Sequence, residues 1–71
     1  MAKVNPQDAV ATGLAVRRAR RAIDVTQIEL ARRAGVSQAA VHRAETGAPV
    51  SAEMLRRIIA ALTLLDAEAE R

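Results

Sequence analysis

The chain has no phenylalanine, tyrosine or tryptophan, so its core has to be built from leucine, isoleucine, valine and alanine. It also has no cysteine, which excludes a disulfide, a thiolate metal site and a thiol redox switch. The lone histidine, His42, has no second imidazole or thiol to share a metal with, so no metal or cofactor is expected. Apolar runs are only a few residues long, too short for a membrane span. The N-terminus shows no basic region followed by an apolar stretch, so no secretory signal is read and the cytoplasm is the expected location. No glycine-rich phosphate loop is present, no carboxylates pair on a common face, and 71 residues leave little room for a deep pocket. An enzyme is therefore not expected.

What the chain does have is aliphatic residues and arginine. Hydrophobic residues make up 51% of it, enough for one small helical domain. Its net charge of +3 is unevenly placed. Residues 17 to 43 hold seven arginines against Asp24 and Glu29, whereas residues 44 to 71 hold three arginines against five acids. Basic charge gathered on one stretch is the electrostatic footprint of a nucleic-acid binder. A solvated, arginine-rich helix face would give the same composition.

Local signals place the helices. Asn5-Pro6-Gln7-Asp8 reads as a helix start, with a cap, a proline at the first helical position and an acid in the first turn. Met1 to Val4 would be a loose arm, with Lys3 available to a phosphate. The first helix can run to Ile23, weakened in its middle by Gly13 or restarting at Thr12-Gly13, with Val16, Ala19 and Ile23 on its inner face. Thr26 with Glu29 forms a capping box for a helix from Gln27 to Ala34. Gly35 can then take positive φ and end it. Ser37 caps a further helix from Gln38 to about Glu45, closed by Thr46-Gly47. Inward positions are Leu30, Ala31, Ala34, Val36, Val41 and Ala44. Ser51 caps the last helix, whose apolar stripe is Leu55, Ile58, Ile59 and Leu62. Thr63 offers a second cap, so the reading favours a break there and a short fifth helix over 63–71; the alternative is a fourth helix that runs straight on to about Ala69.

Two short helices joined by a tight glycine-containing turn mark residues 26–47 as a helix-turn-helix. Gln27, Leu30-Ala31, Ala34-Gly35-Val36-Ser37-Gln38, Val41 and Glu45-x-Gly47 resemble the lambda-repressor/Cro-like, or Xre-type, helix-turn-helix family over about residues 14–64. The resemblance implies an all-α, compact bundle of four to five helices in a single domain. Relatives often carry glycine at the position of Asp24, leucine at that of Ala44 and glycine at that of Thr63. Asp24 must then take a left-handed turn, and the volume missing at Ala44 must come from Met54 or Ile59.

The resemblance also implies binding of double-stranded DNA as a homodimer. Base contacts would fall to Gln38, Ala39 and Arg43: glutamine suits adenine, arginine suits guanine and a methyl suits thymine. Arg43 could instead hold a phosphate, and Gln38 could only support the helix start. Backbone contacts would come from Gln27, Ser37, His42, Arg17, Arg18 and one of the neighbours Arg32 and Arg33, with Arg33 the candidate taken. Gln27 would also buttress Gln38. Arg20 and Glu45 would form an ion pair between the first helix and the end of the recognition helix. Leu64 and Leu65 would either cap the bundle or form a dimer interface.

Two functions of different class follow. One is a sequence-specific transcription regulator, resembling Cro repressors, restriction-modification controllers or antitoxin-type regulators, bound to an inverted repeat. The other is a protein-interaction module that modulates another regulator. The loop 46–50 carries no lysine or arginine for the backbone, which leaves room for a protein partner.

Overall fold

Among the described residues four helices follow one another without a strand: α1 (Pro6–Ala22), α2 (Gln27–Ala34), α3 (Gln38–Thr46) and α4 (Ala52–Ala69). This computed structural model describes residues 6–70, with side chains from Asp8 onward. The N-terminal arm with Lys3, and the Asn5 cap, lie outside the described residues.

The caps written in the sequence are made. Thr26 accepts from the Glu29 amide at 3.0 Å, and the Glu29 carboxylate reaches back to the Thr26 N–H, so two orphan amides of α2 are satisfied together. Gly35 ends α2 at φ +71° and Gly47 ends α3 at φ +79°. The Ser37 hydroxyl accepts from the Ala40 N–H, and that of Ser51 from the Met54 N–H, each at 3.1 Å. Asp24 takes the left-handed conformation at φ +56°.

Leu30, Val41 and Ile58, one from each of α2, α3 and α4, are the largest fully buried side chains. Val16, Ala31, Ala44, Ala61 and Leu62 complete the cluster. With no ring to fill volume, the helices close on alanines instead. α1 crosses α3 at Gly13, where a Cβ would lie 2.3 Å from the Ala44 carbonyl oxygen. Gly13 therefore does not split α1. It removes the side chain that would hold the two helices apart.

Expectations about α1 and α4 are corrected. Ala19 is exposed, and the buried line of α1 is Gly13, Val16 and Arg20. Arg20 takes the inward place because a carboxylate waits for it on α3, which turns the face away from Ala19. On α4, Ile59 is 41% exposed and Ala61 is buried, because α4 lies chiefly against α2 and less against α1. Met54 packs on the core, so of the two residues considered for the space beside Ala44 only Met54 turns inward. Finally, α4 does not break at Thr63. The Thr63 hydroxyl donates to the Ile59 carbonyl at 2.9 Å, so it is satisfied inside a continuous helix and caps nothing. There is no fifth helix among the described residues.

The packing at Gly13 gives a prediction whose sign separates two effects. Helix propensity alone would make Gly13→Ala stabilising by about 1 kcal/mol. The clash with the α3 backbone makes it destabilising instead, by about 1–3 kcal/mol. Urea unfolding followed by circular dichroism reads the difference, with Ala19→Gly as the exposed counterpart that loses only propensity.

Candidate nucleic-acid interface

α3 buries Ala40, Val41, Ala44 and Glu45, and this sets what it can offer outward. The opposite face carries Gln38, Ala39, His42, Arg43 and Thr46, all exposed. The three-residue turn Gly35-Val36-Ser37 fixes this face relative to α2. Ser37 spends its hydroxyl on the cap of α3, and its exposed position leaves it at the N-terminal edge of that face.

Behind the face lies a charged network. The Arg20 Nε donates to Glu45 Oε2 at 2.6 Å and Nη2 donates to Oε1 at 2.9 Å, a two-pronged pair with both residues buried. A third donor, Nη1, reaches the Val25 carbonyl at 2.9 Å. The Gln27 amide donates to Glu45 Oε1 at 3.1 Å. One carboxylate on α3 thus gathers α1 and the first residue of α2, and Arg20 extends the tie to the link between those helices. The expectation that Gln27 braces Gln38 is replaced here: its amide goes to Glu45, which lies on its own side of α3.

Arg17, Arg21, His42 and Thr46 stand around this network and, with Arg20, Gln27 and Glu45, enclose a cleft of about 140 Å³. The only carboxylate lining it is already held by Arg20 and Gln27, and neither Arg17 nor Arg21 forms an ion pair among the described residues. Arg21 was not singled out from the sequence. Its position four residues after Arg17, which sets both on one side of a helix, was the available signal.

The remaining arginines divide. Arg33 forms a two-pronged pair with Glu68 of α4, with one contact at 3.0 Å, so its charge is compensated within the fold. Arg43 donates to the Pro49 carbonyl at 2.6 Å and so leans on the loop after α3. Arg18 and Arg32 are exposed. Leu65 packs against the core, whereas Leu64 is 59% exposed. Among the described residues no cluster of histidine and carboxylates is placed to hold a metal, and no helix is long and apolar enough to cross a membrane.

Burial pushes the Glu45 carboxyl up, but hydrogen bonds from Arg20 and Gln27 and the charges of Arg20 and Arg17 outweigh it, and the group sits below its ordinary value. The Glu45 hydrogen bonds, working against burial, raise Arg20. A carboxyl lowered by folding contributes stability that is complete above its unfolded value, about 4.3, and is lost as pH falls through the folded value. Glu45→Gln therefore costs stability above about pH 5, by roughly 3 kcal/mol, because it strands a buried guanidinium. The gap to wild type narrows as the solution is acidified below about pH 4. Chemical unfolding across a pH series measures it. Arg20→Met with Glu45→Leu, which removes both charges, recovers most of the loss.

A helix-turn-helix family model matches residues 16–65, which spans α2, α3 and nearly all of the packed part of α4. No curated protein and no solved structure matched the chain. With the turn, the caps and the core falling inside the matched segment, the chain belongs to the helix-turn-helix DNA-binding family of the Cro/C1, Xre-like type.

Proposed function

We propose that the protein is a sequence-specific transcription regulator that binds an inverted-repeat operator as a homodimer, with α3 in the major groove. The observation that carries this reading is the outward face of α3, where Gln38, Ala39, His42 and Arg43 stand exposed beside the Arg17–Arg21 cleft. Gln38 and Ala39, at the N-terminal end of α3, face the base edges. Arg43 lies one turn further on and exchanges the Pro49 carbonyl for guanine or a phosphate. Arg17, Arg21, His42 and the N-terminus of α2 at the half-buried Gln27 hold phosphates. Arg18 and Ser37 lie at the border of that surface, and Arg33 contributes least because Glu68 compensates it.

Few polar side chains reach the bases, so DNA shape carries part of the selectivity. Two copies on one duplex place their half-sites about 34 Å apart. The protein has no catalytic role, needs no cofactor and works in the cytoplasm on the nucleoid. At this size it fits a Cro-like repressor, a controller protein or an antitoxin-type regulator.

Fluorescence anisotropy with DNA from the region upstream of its own gene tests the reading. The wild type should prefer one short inverted repeat over random DNA by at least about a thousandfold. Gln38→Ala with Arg43→Ala should abolish that preference and leave weak, salt-sensitive binding. Arg17→Ala with Arg21→Ala should weaken both kinds of DNA alike and reduce the salt slope by about two. Weak binding that is the same for wild type and the Gln38/Arg43 variant refutes base reading. It would turn the search to a protein partner.

A further inference from the structure

α3 sets one apolar side chain where a helix lying in the major groove meets base edges. Ala39 is exposed in the first turn of α3, next to Gln38 and one turn before Arg43. Ala40 and Val41, which follow it, are buried. Ala39 itself belongs neither to the core cluster nor to its border, so packing does not account for a methyl at this place. Ala39 and Arg43 lie about 40° apart around the helix and about 6 Å along it. Long helical side chains lean toward the N-terminus, so Arg43, once it leaves the Pro49 carbonyl, reaches back over Ala39. Gln38 stands about 100° round the helix from Ala39 and addresses a different base pair.

A methyl group has no donor or acceptor, and this decides how it reads a base. In the major groove thymine shows a C5 methyl and the O4 acceptor, whereas cytosine shows the N4 amino donor and a bare C5. Alanine cannot tell O4 from N4, so Ala39 responds only to the C5 substituent. 5-Methylcytosine carries the same substituent. A polar side chain at this position would separate the two bases by hydrogen bonding.

We infer that Ala39 makes the protein a reader of 5-methylpyrimidine. It takes thymine and 5-methylcytosine alike at one position of each half-site, so affinity rises when a cytosine there carries the methyl. Arg43 works with it. Bonded to a neighbouring guanine, its flat and weakly hydrated guanidinium lies beside the methyl and keeps water from it. The ligand is therefore duplex DNA marked at cytosine C5, and the protein senses a mark that another enzyme leaves. The inference rests on the regulator reading above, and adds the chemical state of the operator to its sequence.

Selection of a preferred inverted repeat from a random duplex pool, followed by anisotropy on its variants, tests it. Each thymine of the half-site is exchanged in turn for uracil, which removes only the C5 methyl. At one position, exchanged in both half-sites, binding should weaken about fifteenfold, or about fourfold for each methyl. Cytosine paired with guanine at that position should bind no better than the uracil pair. 5-Methylcytosine there should recover the thymine affinity to within about twofold. Ala39→Gly should shrink the effect of each methyl below about twofold. Ala39→Glu, a good helix former that accepts from cytosine N4, should favour cytosine and 5-methylcytosine over thymine. It keeps the test decisive if circular dichroism shows that the glycine unfolds α3. Gln38→Ala should bind more weakly yet keep the methyl effect. Indifference to uracil at every position overturns the inference, as does equal binding of cytosine and 5-methylcytosine. So does an Ala39→Glu protein that still takes thymine and 5-methylcytosine alike. A wild type that selects no repeat overturns the regulator reading and this inference together. A repeat that is selected but indifferent to the methyl overturns this inference alone.

Discussion

The Glu45 carboxylate is the point on which the arrangement depends. It sits on the buried side of α3 and accepts from Arg20 of α1 and Gln27 of α2. Those bonds hold α3 at one rotation and one distance from its two neighbours. A hydrophobic contact would supply adhesion, but it is non-directional. The two-pronged pair supplies direction, because a guanidinium meets a carboxylate in one plane only. The cost is two charges removed from water, so the pair orients more than it stabilises. Gly13 belongs to the same arrangement. It lets the backbone of α1 approach Ala44 and Glu45 closely, which brings Arg20 within reach of its acid.

This division of charge also shapes the surface. Ten arginines look interchangeable as a composition, but the fold assigns them different partners. Arg20 is internal, Arg33 ties α2 to α4, Arg57 pairs along its own helix and Arg43 leans on the loop. Arg17 and Arg21 line a cleft whose single acid is already taken. Net charge alone would overstate the basic surface, because compensated cations attract a distant phosphate weakly.

α4 completes both jobs. Its inner side brings Ile58, Ala61 and Leu62 against the motif. Running unbroken to Ala69, it carries a second face beyond the core. A break at Thr63 would have folded the acidic end away. Continuity instead keeps Arg56 and Asp66 on one straight element.

The motif helices were legible in the sequence because their signals are local. The capping box Thr26/Glu29, the caps Ser37 and Ser51, and Gly35 and Gly47 act through bonds spanning a few residues, so neighbours in the chain suffice to specify them. The aliphatic character of the core, the exclusion of disulfides and the basic bias of residues 17–43 were likewise set by composition. Other features depended on residues far apart in the chain. That Arg20 turns inward and Ala19 outward depends on Glu45, 25 positions away. That Arg33 is compensated depends on Glu68, 35 positions away. Gly13 read as a weak point of a helix until α3 lay across it. Thr63 could equally cap a helix or bond back within one, and periodicity alone could not choose. The sequence by itself thus determined which segments are helices and where the motif helices stop. Only the tertiary structure decided which side of each helix faces its neighbours, because rotation about a helix axis is set by the partner and not by the helix.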